Sequence, residues 1–231
     1  MQKIDLYIDC DGVILDTIKA AKRVAKRLGY DPDDFNSVHE YFLYDVNWKD
    51  IIEEAGVIGN VIESINKLAA TGLFNVVIFT KLSREVLAKR TEYFYPSHEI
   101  EYEESLSGTA PLDYDVTDEL YKIQILKNLF PNITVLATDI KHNKNDIVDT
   151  RYAILIDDAV RNFRKWRESN EDAVAYLFSL EGVEDYIYDY KEDAENHRIT
   201  GEESGYVIND LYQILDHPRT KTLIKQMREA A

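Results

Sequence analysis

Four residues, Asp9-Cys10-Asp11-Gly12, follow directly on the apolar run Ile4, Leu6, Tyr7, Ile8, and they constrain this chain more than any other feature. A short apolar run of this kind reads as a buried parallel strand whose carboxyl end opens into the crevice where open α/β sheets hold ligands. Gly12 lets the backbone turn sharply there and come close to a ligand. Two carboxylates two residues apart on an extended chain point to one side, while Cys10 points to the other and reads as a packed thiol. Such a pair can divide a reaction. One carboxylate attacks phosphorus and forms an aspartyl phosphate; the other hands a proton to the leaving oxygen and later takes one from water. Like charges this close also call for a cation. A plain strand-end turn with Asp11 as a local acceptor would carry the same letters, so the reading depends on the rest of the chain.

Three further apolar runs end in matching chemistry. Phe74 to Phe79 ends in Thr80, and Lys81-Leu82-Ser83-Arg84-Glu85 reads as a helix start, which would set a hydroxyl beside a helix N-terminus, an arrangement that suits an oxyanion. Ile133 to Ala137 is followed by two lysines, Lys141 and Lys144, either of which could reach a phosphate oxygen; Lys144 opens the helical-looking segment Lys144 to Val148 and is the preferred one. Tyr152 to Ile156 ends in the acidic pair Asp157-Asp158, whose hard oxygens suit Mg²⁺.

An Asp-x-Asp, a Thr, a Lys and an acidic pair, each after a strand and in this order, resemble the four motifs of the haloacid dehalogenase-like (HAD) hydrolase superfamily, over a span from Asp9 to at least Asn162. The resemblance implies Asp9 as nucleophile, Asp11 as general acid and base, and Thr80 with Lys144, or alternatively Lys141, as phosphate holders. It implies Mg²⁺ held by the Asp9 carboxylate, the Asp11 main-chain carbonyl and Asp157, with Asp158 and Asn162 standing behind these ligands. The run Ile156-Asp157-Asp158 followed by Asn162, Phe163 and Trp166, together with a small helical cap, is loosely similar to the 5'(3')-deoxyribonucleotidase group. The substrate this implies is a small phosphorylated molecule, with (deoxy)nucleoside monophosphates leading and sugar phosphates or another small metabolite as the rival.

Between Asp16 and Asn60 the strand pattern gives way to helices. Ile18, Ala21, Val24, Ala25 and Leu28 recur at helical spacing with Gly29 as a stop, and further helices are expected over 38–45 and 48–55. The expected organisation is a catalytic core of residues 1–16 and 59–231, a doubly wound parallel α/β sheet, interrupted by a helical cap of residues 17–58. A cap of this kind closes over a site, excludes water and selects substrate. Tyr41, Phe42, Tyr44 and Trp48 could stack on a base or sugar, although packing within the cap is the commoner use of such residues. The basic face Lys19, Lys22, Arg23, Lys26, Arg27 is expected in solvent, and Asp16 is expected to cap the first helix. Beyond the fourth run, 173–179 reads as a fifth strand and 207–215 as a helix.

Charge narrows the partners. With 43 acidic against 27 basic residues the formal net charge is −16, the opposite of the basic footprint that duplex nucleic acid requires. Residues 98–119 carry eight Asp or Glu and no Lys or Arg, and 181–204 is acidic and tyrosine-rich; both read as solvated or partner-facing surface. No apolar run approaches the about 18 residues of a membrane span, no leader pattern opens the chain, and the single cysteine fits a reducing, cytoplasmic setting. A dehalogenase would need neither Asp11 nor the acidic pair. A phosphotransferase shares the whole set, and a non-catalytic module that binds phosphorylated ligands or acts as a scaffold is the reading from a different class.

Overall fold

A computed structural model describes residues 3–82, 117–139, 142–180, 199 and 201–229. Six parallel strands form one sheet in the order β3-β2-β1-β4-β5-β6: β1 (Ile4–Ile8), β2 (Phe74–Leu82), β3 (Thr134–Asp139), β4 (Ala153–Asp157), β5 (Val174–Phe178) and β6 (Val207–Ile208). The sheet is the expected doubly wound α/β arrangement with β1 near its centre. The winding direction reverses between β1 and β4, and in open sheets that reversal opens a crevice at the strands' carboxyl ends.

Alternation along β1 sorts the core into two faces. Ile4, Leu6 and Ile8 pack with Ile65 and Leu68 of helix α4 (Val61–Ala70), with Ile123 and Leu126 of α5 (Thr117–Leu129), and with Leu223 and Met227 of α7 (Pro218–Glu229). Tyr7 faces the other way, onto Phe163 and Trp166 of α6 (Val160–Ser169). Both faces of the central strands are therefore covered, which is why their sequences are continuously apolar rather than alternating.

Three helices leave the core after β1: α1 (Thr17–Arg27), α2 (Phe35–Tyr44) and α3 (Trp48–Glu54). They hold a small core of their own around Ala20, Val24, Tyr41 and Ile51. Asp16, Asp34 and Asn47 cap the three N-termini through their side chains. The outgoing and returning chains run side by side, with Asp16 N–H donating to the Gly56 carbonyl (3.0 Å) and Ile58 N–H to that of Ile14 (2.9 Å). The basic face of α1 is spent locally, because Arg23 and Arg27 both bind Glu54 of α3.

Two local expectations are corrected. Residues 207–215 form no α-helix: Val207 and Ile208 pair with Leu177 and Phe178 as an edge strand, and Leu211–Leu215 is a 3-10 turn capped reciprocally by Asp210 and Gln213. Two β-branched residues beside an unpaired strand edge prefer the ladder, and Asp210 then restarts the chain as a cap. The helix start expected at Lys81 is also corrected for its first two residues, because β2 continues through Lys81 and Leu82, paired with Thr138 and Asp139, while 83–85 lie outside the described residues. Arg84, Lys141 and most of the two acidic stretches lie outside the described residues; of those stretches, residues 117–119 open α5, and Glu203 is bound by Arg164 (2.7 Å).

Candidate active site

The carboxyl ends of β1, β2 and β4 and the turn after β3 converge on one cluster. Asp9 follows β1 directly; its Oδ1 accepts from the Cys10 N–H (2.8 Å) and from the Lys144 ammonium (2.7 Å). Lys144 opens the 3-10 turn Lys144–Asp146, is buried, and reaches the Asp157 Oδ2 as well (2.9 Å). One ammonium thus bridges the last residue of β4 and the first residue after β1. Asp157 is wholly buried, with Oδ1 accepting from the Ala159 N–H (2.9 Å) and both oxygens within reach of the Asn162 side-chain amide (3.0 and 3.1 Å). Asn162 lies in α6, where the first helical turn aims it back at the strand end; its carbonyl oxygen accepts from Lys81 (3.5 Å).

Burial governs the protonation of this cluster. It pushes the Asp9 carboxyl up to about 7, opposed by Lys144 and assisted by the charges of Asp157 and Asp11. Burial also drives Asp158 well above the ordinary carboxylate range, with Asp157 adding to the rise. For Lys144 burial favours the neutral amine, but Asp157 and Asp9 together outweigh it and hold the ammonium more firmly than in a solvated lysine. Lys81 is lowered by burial and by the repulsion of Lys144.

Carboxylate oxygens of Asp9, Asp157 and Asp158 all lie within 4.8 Å of one another. Three hard oxygen donors from two adjacent strand ends fit a small divalent cation such as Mg²⁺. The Asp158 carboxylate thus converges with those of Asp9 and Asp157 at this edge of the sheet. It is also why residue 12 must be glycine: φ there is +73°, and a Cβ would lie 2.0 Å from the Asp158 Oδ2.

Asp11 turns away from that trio. Its Oδ2 accepts from Lys122 of α5 at 2.8 Å, while its Oδ1 is buried with no hydrogen-bond partner. Thr80 Oγ1 is the other site oxygen left buried without a partner. Buried polar atoms in a folded protein are nearly always satisfied, so each of these two oxygens is one that a bound polar group would complete. Cys10 is fully buried in the core, with its thiol pushed up by burial and kept inert, as expected.

The structure brings together Asp9, Asp11, Thr80, Lys144, Asp157, Asp158 and Asn162. Two cations were not among the expected site residues. Lys81 was visible beside Thr80, and only the extension of β2 turns it inward. Lys122 had no sequence signal at all, since it is one lysine of a helix whose buried face becomes defined only against the sheet. Among the aromatic candidates, Tyr41 is buried within the helical segment and Trp48 lies against the Lys122 ammonium, 5.0 Å from ring centroid to nitrogen.

No family model matches the chain, and no curated protein does. Solved structures that superpose on it include a haloacid dehalogenase-like family hydrolase from Streptococcus pneumoniae (TM-score 0.46, 13% identity, covering 93% of this chain and 97% of that one). A HAD-superfamily hydrolase of subfamily IA from Geobacter sulfurreducens gives TM-score 0.48 and 12% identity, covering 93% and 99%. A β-phosphoglucomutase from Clostridium difficile gives 0.44 and 13%, covering 98% and 99%. Likeness this loose assigns no activity, and the chemistry is argued from the residues. Among the described residues no helix is long and apolar enough to cross a membrane.

Proposed function

We propose that this chain is a Mg²⁺-dependent phosphomonoesterase of the HAD type, working through a phosphoryl group carried on Asp9. The observation that supports it is the convergence of Asp9, Lys144 and Asp157 from three strand ends, with Asp11 two residues on from Asp9 and Thr80 near the end of the neighbouring β2, Asp11 Oδ1 and Thr80 Oγ1 being buried and unpartnered among the described residues.

In this reading an Asp9 oxygen attacks phosphorus and the bond to the leaving oxygen breaks, while Asp11 gives its proton to that oxygen. Water then attacks the aspartyl phosphate, Asp11 takes the water's proton, and the acyl–phosphate bond breaks to release phosphate. Thr80 donates its hydroxyl proton to a phosphoryl oxygen. Lys144 holds Asp9 and Asp157 in place and offsets the negative charge that would otherwise repel an anionic substrate. Asn162 orients Asp157 by donating to its carboxylate. A bound Mg²⁺, held by Asp9 and Asp157 with Asp158 beside them, would supply Lewis-acid charge stabilisation at the phosphoryl group. Helices α1–α3 serve as the cap, with 17–58 as its bounds.

The substrate is assigned as a small phosphate monoester, with (deoxy)nucleoside monophosphates placed first by the motif resemblance. The test is phosphate release with Mg²⁺ from ribo- and deoxyribonucleoside monophosphates and from sugar phosphates, by wild type and Asp9→Asn. Expected is release that falls at least about 10³-fold in the variant, as the loss of a covalent nucleophile does. Release confined to sugar phosphates would move the substrate and keep the mechanism. Asp9→Asn with wild-type release would overturn the mechanism.

A further inference from the structure

Lys122 is a buried lysine that none of the roles above uses. It rises from α5, which packs on the core face of the sheet, and its side chain is 3% exposed. Among the described residues its ammonium meets the Asp11 Oδ2 at 2.8 Å and the face of Trp48, the first residue of α3, at 5.0 Å. A second contact joins the same two helices, with the Lys49 ammonium over the Tyr121 ring (5.8 Å). Burying an ammonium is unfavourable unless it is paired, and here the partner is the carboxylate that the proposed reaction needs as its acid.

We propose that Lys122 is a positioning residue for the proton transfer by Asp11, tying that carboxyl to the helical segment through Trp48. The inference rests on the phosphomonoesterase reading. The Lys122 bond engages Oδ2 and so leaves Oδ1 as the oxygen that can meet the leaving group. That Oδ1 is buried and has no hydrogen-bond partner among the described residues. Lys122 thereby fixes both the rotation of the carboxyl and the identity of its reactive oxygen, and its grip depends on α3 being seated.

The distinction between positioning and mere packing is read through the leaving group. p-Nitrophenyl phosphate loses a stable phenolate and needs little proton donation, whereas an alkyl monoester, thymidine monophosphate or glucose 6-phosphate, whichever releases faster, needs it strongly. Lys122→Met is expected to lower kcat/KM, which reports the step that expels the leaving group, about 10²-fold on the alkyl ester, within the range for general acid catalysis, and less than about tenfold on p-nitrophenyl phosphate. Lys122→Arg recovers part of the loss, and Asp11→Asn shows the same selectivity in kcat/KM. Equal losses on both esters, or none, overturn the positioning role, while inactivity of Asp9→Asn in the same assays leaves the phosphomonoesterase reading standing. A wild type that releases phosphate from neither ester, or an active Asp9→Asn, overturns that reading and this inference with it.

Discussion

Two buried lysines, Lys144 and Lys122, sit on either side of the Asp9-Cys10-Asp11 segment and are held quite differently. Lys144 lies between two carboxylates, Asp9 and Asp157, each fixed by a strand of the central sheet. Lys122 lies between one carboxylate, whose side chain is 32% exposed, and an aromatic ring of the helical segment. The first arrangement is a closed balance of charge inside the sheet's crevice. The second spans core and helical segment and so depends on how α3 is seated. The contrast teaches how the two proposed roles are held: the proposed nucleophile between groups of the sheet alone, the proposed acid between the core and the helical segment.

Removing each lysine tests that contrast most directly. Lys144→Met leaves two buried carboxylates facing each other and is expected to destabilise by about 3–5 kcal/mol, the usual penalty for stripping one partner from a buried charge set. Lys122→Met leaves a single carboxylate with access to water and is expected to lose less, about 1.5–3 kcal/mol, the range for a charged hydrogen bond. Urea unfolding of both variants measures the difference; equal losses would break the comparison. Added Mg²⁺ should recover stability in Lys144→Met, since a cation bound only by the folded state stabilises it by mass action.

A pH series sharpens the Lys144 side. Asp9 is raised from 3.8 to about 7, mainly by burial. A raised acid contributes stability that is complete below its unfolded value and is lost as pH rises toward its folded value. In metal-free protein the urea midpoint should therefore fall between about pH 4 and 7 and flatten above, and Asp9→Asn should show a shallower fall. An identical slope in the variant would remove Asp9 as its source.

The smallest effect is expected far from either lysine. Glu54 is held below the ordinary carboxylate range by hydrogen bonds from Arg27 and Arg23, yet it lies on the surface. Glu54→Gln should leave the melting temperature nearly unchanged, as exposed ion pairs contribute little. A large drop would show that the helical segment depends on this cluster to stay folded.

Much of this was legible along the chain. Strands β1, β4 and β5 announce themselves because both of their faces are largely buried, so apolar residues dominate them. The expected cap Asp16 acts on an amide group three residues away, as Asp34 and Asn47 also do, which makes helix starts local chemistry. Asp9, Asp11, Thr80, Lys144 and Asp157 could be picked out because each follows such a strand, and a parallel sheet gathers all its carboxyl ends at one edge.

What the sequence by itself determined, then, was the strand order's raw material and the acidic, hydroxyl and lysine groups at its edge, since period and turn chemistry act within a few residues. Only the tertiary structure decided that Lys144 bridges Asp9 and Asp157, that Asp158 presses on Gly12, that Lys81 turns inward and that Lys122 meets Asp11. Those pairings join residues far apart along the chain, up to 111 positions for Lys122 and Asp11. A lysine on a helix carries no mark of which carboxylate it will meet, because that is settled by the seating of α5 against the sheet.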